Sequence, residues 1–146
     1  MIHQTMYPAA EDYLGQAREA GRKVELLRQR KEILQLLLTD TAAHLNDVRT
    51  SNSPDPQKNE TVHAEIDEAE REIQQAEKER DRIHEETGMM ICRLSDTISQ
   101  KILILYYLKN MSWRKVSRRI GYSRSHILRY RNAGCAELEE ILRKDT

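Results

Sequence analysis

The chain has no phenylalanine and only one tryptophan, five glycines and three prolines, and aromatic residues make up 5% of its 146 positions. With so few rings, one large core is a poor fit; with so few turn formers, long uninterrupted helices are a good one. Cys92 and Cys135 lie far apart and form no CxxC pair, which removes a disulfide framework or a cysteine zinc site. Both read as inert packing residues. The longest wholly apolar run, Ile102 to Leu108, is far too short to span a bilayer, so no membrane association is expected. Met1 to Ala10 offers neither a basic start nor an apolar segment, so no signal peptide is expected there, and a reduced cytoplasm is the expected setting. His3, His44, His63, His84 and His126 are scattered without ligand spacing, so neither metal nor cofactor is expected. A glycine-rich phosphate loop and a Ser-His-Asp pattern are also missing, and the chain does not read as an enzyme.

Acid is missing from one stretch alone. Net charge is zero overall, yet residues 1–92 carry 12 Lys/Arg against 19 Asp/Glu (12 − 19 = −7), and residues 93–146 carry 12 against 5 (12 − 5 = +7). From Thr97 through Ala136 there is no acidic residue and nine are basic. A merely solvated face mixes both signs; a one-signed stretch is the footprint of a nucleic-acid module joined to something else.

What the first part does have is a beat. Tyr13, Ala17, Ala20, Val24, Leu27, Lys31, Leu34, Leu38, Thr41, Leu45 and Val48 recur at alternating steps of four and three, with Leu26, Ile33, Leu36 and Leu37 widening the stripe. That spacing predicts a helix over about residues 9–48 that faces another helix along its length. Arg49 to Lys58 is the linker, and Asp55-Pro56 is a helix-start signal. From Pro56 to about Arg93 the beat resumes in Val62, Ile66, Ala69, Ile73, Ala76, Arg80, Ile83, Thr87, Met90 and Leu94, with Gly88 as a candidate kink. Lys31 and Arg80 on the seam read as long side chains reaching out to water, and Met89 and Met90 as gap-filling core.

After Leu94 the texture changes. Ser95 to Lys109 reads as a helix burying Ile98, Ile102, Leu105 and Tyr106, and Asn110-Met111 as a turn. Ser112 is placed to cap a short helix with Trp113, Val116 and Ile120 inward. Gly121 can take the left-handed conformation that ends it, and Ser123 caps the next helix, in which Ile127, Tyr130, Leu138 and Ile141 pack. This is helix-turn-helix spacing. Such a module sets the start of its second helix into the major groove, so Arg124, Ser125, His126 and Arg129 are the candidate base readers. Arg114, Lys115, Arg118, Arg119, Ser123 and Arg131 are the candidate phosphate contacts. Trp113 reads as core rather than as a base-stacking ring.

The segment LILYYLKNMSWRKVSRRIGYSRSHILRYRNAG resembles the DNA-binding region 4 of sigma-70-type factors. Its SW…V…GYS..HI.R form is closer still to small phage and prophage late-transcription regulators of the ArpU and RinA type. The resemblance covers about residues 95–142, and Gly134-Cys135 stand where relatives keep an apolar or alanine pair. It implies a sequence-specific transcription regulator, encoded by a phage or prophage and working in a bacterial or phage-infected cytoplasm.

These readings converge on an all-α protein. Residues 1–94 form a long antiparallel helical hairpin or coiled-coil oligomerisation arm (linker 49–58), and residues 95–146 form a helix-turn-helix domain. The expected partners are double-stranded DNA, a second copy of the chain in a homodimer or higher oligomer, and RNA polymerase. Two rivals stand beside the regulator. One is a small-terminase-like packaging protein, disfavoured because its DNA module ordinarily comes first. The other is a protein-binding adaptor docking on an acidic partner.

Overall fold

The computed structural model describes residues 6–47 and 56–145, with side chains described for 6–38 and 59–145. Every regular element among these residues is helical: α1 (Pro8–Asp47), α2 (Pro56–Ile91), α3 (Thr97–Leu103, continued by a π-helical stretch Ile104–Leu108), α4 (Trp113–Ile120) and α5 (Arg124–Lys144). The all-α architecture with a long helical hairpin is therefore present. No helix among the described residues is long and apolar enough to cross a membrane.

Packing divides the chain into two units, residues 23–78 and residues 1–22 with 79–146. The first is a short antiparallel helix pair. Leu34, Ile66 and Ala69 form its buried cluster, with Leu38 and Val62 packed against it. Arg28 pairs with Glu77 at 3.1 Å and Lys31 with Glu70 at 3.0 Å. Lys31 thus stands on the seam with its ammonium at the rim, as expected of a long side chain reaching out. Leu26, Ile33, Leu36 and Leu37 do not widen this seam. All four are exposed, and Leu26, Ile33 and Leu36 lie on another side of α1 from Leu34. Thr41, Leu45, Val48 and Asp55 fall outside the described side chains.

The second unit overturns the expected boundary at residue 94. Its main cluster joins Ala10 and Leu14 of α1, Ile91 and Leu94 at the end of α2, Leu103 and Tyr107 of the α3 region, and Cys135 and Leu138 of α5. The first turns of α1 and the last turns of α2 therefore complete the basic domain. A 52-residue segment is marginal for closing a core alone, and these two helices add four buried side chains to it. α2 runs unbroken through Gly88. Met90 packs on the cluster, but Met89 and Cys92 are exposed. Cys135 is the inert, buried cysteine: burial pushes its thiol up to about 11.

α3 starts two residues later than Ser95. Asp96 caps it by accepting from the Ser99 N–H at 2.9 Å. Its two sides serve two clusters. Ile102, with Ile98 and Leu105 beside it, meets Val116 and Ile127, while Leu103 and Tyr107 turn to α1 and α5. Gly134 explains how α5 comes so close, since a Cβ there would stand 3.1 Å from Leu103 and 3.2 Å from Ser99. Gly134 thus lies inside α5 and does not end it.

Candidate nucleic-acid interface

The turn between α4 and α5 forms as its residues dictate. Ser112 caps α4 by accepting from the Lys115 N–H at 3.2 Å. Gly121 closes that helix with φ at 85°, a conformation that costs glycine little, and its N–H donates to the Ser117 carbonyl. The Ser117 hydroxyl donates to the Tyr122 carbonyl, and Ser123 caps α5 at the His126 N–H, 3.4 Å away. Val116 and Ile127 are fully buried against Ile102, so α4 and α5 share one small core with α3. Tyr106 and Trp113 stack at 3.7 Å between centroids, which places Trp113 as packing. Arg18 of α1 lies 3.9 Å over the Tyr106 ring and donates to the carbonyls of Tyr106 and Met111. Asn110, in the left-handed region at φ 55°, donates to the Arg18 carbonyl at 3.1 Å. The turn ahead of α4 is therefore clamped to α1.

On this frame Arg114, Lys115, Arg118 and Arg119 of α4 are all exposed, as are Ser123, Arg124, Ser125, His126 and Arg129. Ser125, Arg129 and Asn132 follow each other at steps of four and three on the side of α5 opposite Ile127, Gly134 and Leu138. Asn132 and the partly exposed Leu128 escaped the sequence reading. Their helical spacing from Ser125 and Arg124 was the available signal. An amide suits adenine and an aliphatic group suits the thymine methyl. The His126 ring is held by its Nδ1 at 3.0 Å from the Ser123 hydroxyl, so His126 and Ser123 brace the helix start together.

Arg131 departs from its expected role. Its guanidinium donates to Glu11 at 2.7 Å and to the Tyr107 hydroxyl at 3.0 Å, and its side chain is only 17% exposed. A phosphate cannot reach it without breaking an internal ion pair. The other eight basic residues from Thr97 to Ala136 are Lys101, Lys109, Arg114, Lys115, Arg118, Arg119, Arg124 and Arg129. None of these has an acidic partner among the described residues, whereas arginines elsewhere in the chain pair readily. Eight cations left without counter-ions on one small domain make a positive field that favours a polyanion. Beside them, Ile98, Ile104, Leu105, Ile120 and Tyr122 line an apolar groove of about 590 Å³, rimmed by Lys101 and Arg119.

In comparison with known proteins, the model of a family described as "Protein of unknown function (DUF1492)" matches residues 41–139. No curated protein and no solved structure matches the chain.

Proposed function

The chain belongs to the DUF1492 family, and we propose that it is a sequence-specific double-stranded DNA-binding protein that regulates transcription. The observation that carries this reading is the set of eight cations without acidic partners among the described residues, around a capped helix-turn-helix. α5 is the groove helix, with Arg124, Ser125, His126 and Arg129 toward the base edges and Asn132 and Leu128 beside them. α4 holds the backbone through Arg114, Lys115, Arg118 and Arg119. The resemblance of residues 95–142 to sigma region 4 and to ArpU- and RinA-type regulators supports a phage or prophage role. The apolar groove under Lys101 and Arg119 favours a second reading, an adaptor that engages an acidic protein such as a polymerase subunit.

Competition binding separates the two. Duplexes selected from a random pool should bind the full chain with a log K against log salt slope of about −4 to −5 per subunit. Arg129→Ala should cost about 1–3 kcal/mol on the selected site and relax preference at one position. Arg118→Ala should weaken selected and random duplex equally and make the slope shallower by about one. If the two variants exchange these effects, the wrong helix has been placed in the groove. Binding to duplex that ignores salt, or no binding, favours the adaptor.

A further inference from the structure

In the unit of residues 23–78, one side of α1 is left uncovered. Leu26, Ile33 and Leu36 are 63%, 59% and 60% exposed. Singly, an exposed leucine means little. These three, however, fall at steps of seven and three on one line of the helix, with Gln29 in the gap, as a, a and d positions of a heptad do. At 100° per residue their line lies about 150° around α1 from Leu27, Lys31, Leu34 and Leu38, the side that meets α2. The helix thus carries two seams, and the hairpin uses one.

We propose that the second seam is the face by which two copies of this chain pair, α1 against α1 and in parallel. The charges beside it choose both partner and direction. With Leu26 and Ile33 at a, Glu25 and Glu32 take g positions and Lys23 and Arg30 take e positions. In a parallel pair a g residue meets the e residue five places on, so Glu25 faces Arg30 of the second copy on both sides of the seam. An antiparallel pair would set g against g and e against e, which places like charges together. In the parallel register Gln29 meets its own copy at a d position, where two amides bond each other and fix the alignment. Three aliphatic side chains from each copy fall short of the ~1,000 Å² of a stable interface, so this is a weak pairing that grows with concentration over roughly 10–100 µM. It does not depend on the DNA reading and is measured without DNA.

Sedimentation velocity on the full chain from ~5 to 500 µM should show a monomer passing to a dimer. Ile33→Glu should leave a monomer throughout with unchanged helicity, because the side chain is exposed in the single chain. Leu34→Asp, on the seam facing α2, should instead lose helicity. Arg30→Glu should raise the dissociation constant about tenfold, and adding Glu25→Arg to it should restore pairing. Gln29→Cys in a Cys92→Ser background should give an intermolecular disulfide on mild oxidation. A monomer at every concentration, or a dimer that Ile33→Glu leaves intact, overturns the proposed face. A dimer that neither crosslinks at position 29 nor recovers with the double charge swap overturns the parallel register.

Discussion

Glu139 offers a sharp test of how the basic domain is assembled. It sits far along α5 and is 8% exposed, and its carboxylate accepts from the Ala10 N–H at 2.7 Å and the Ala9 N–H at 3.3 Å. α1 begins at Pro8, so these donors belong to the first turn, which has no intrahelical acceptors. Ala10 is fully buried, which leaves its N–H dependent on Glu139. A hydrogen bond to a charged group is worth about 1.5–3 kcal/mol, and a carboxylate at a helix start adds about 0.3–1 kcal/mol. The 3.3 Å contact is long and contributes the lesser share. Glu139→Ala should therefore cost about 2–4 kcal/mol, whereas Glu139→Gln, which keeps an acceptor and loses the charge, should cost about 1 kcal/mol. At about 2–4 °C per kcal/mol for a chain of this size, the alanine variant should melt roughly 5–15 °C lower by circular dichroism. Hydrogen exchange should show the loss of protection concentrated at Ala9 and Ala10. If Glu139→Ala melts within a degree of the unaltered chain, the carboxylate is no cap, and the joining of α1 to α5 rests on apolar packing and the Arg131–Glu11 pair.

A fragment from Ser95 onward lacks Ala10, Leu14, Ile91 and Leu94, so it should show no cooperative melt and little duplex binding; a sharp melt near that of the full chain would refute the shared core. The Asp96 carboxyl is held below its ordinary 3.8 by the backbone and side-chain hydrogen bonds from Ser99. The unfolded chain therefore takes up this proton first as pH falls. The stabilisation from Asp96 is present above about 3.8 and is lost as pH drops through the lower folded value. Asp96→Asn should flatten that part of the acid-unfolding curve, and an unchanged curve would remove Asp96 as the cap.

The helices and their caps were legible because each rests on local chemistry. Ser112, Gly121 and Ser123 act within four residues of their own position, and the observed caps coincide with the expected ones. The heptad from Tyr13 to Leu38 likewise points inward at Ala17, Val24 and Leu34. The division between units was not legible, because the beat runs unchanged through both. What differs is the partner. Leu34 meets Ile66 and Ala69 in a helix pair, while Ala10 and Leu14 meet α5 and the α3 region, and a period records that a face is buried without recording what buries it. Leu26, Ile33 and Leu36 mislead for the same reason: close in sequence to the seam, they sit on another side of the helix.

Charge taught a similar lesson about distance along the chain. A count from Thr97 to Ala136 finds nine bases and no acid, and so treats Arg131 like its neighbours. Its acid stands 120 positions away, on Glu11 of the first turns of α1. Arg131 and Glu11 are 17% and 19% exposed, so their attraction is screened less than that of the exposed pairs along α1 and α2. The Glu11 Oε2 and Arg131 Nε atoms beside them have no further partner, which makes the pair costly to split. Removing Glu11 should therefore destabilise the domain and would not simply free a ninth cation for DNA. Under the proposed DNA reading, phosphate contacts would fall to the remaining eight, and the expected salt slope rests on a part of these. Glu11 and Glu139, both remote from the basic stretch in sequence, hold α5 by its middle and its far half. The first turn of α5, where Arg124 and Ser125 stand exposed, is left clear of acid.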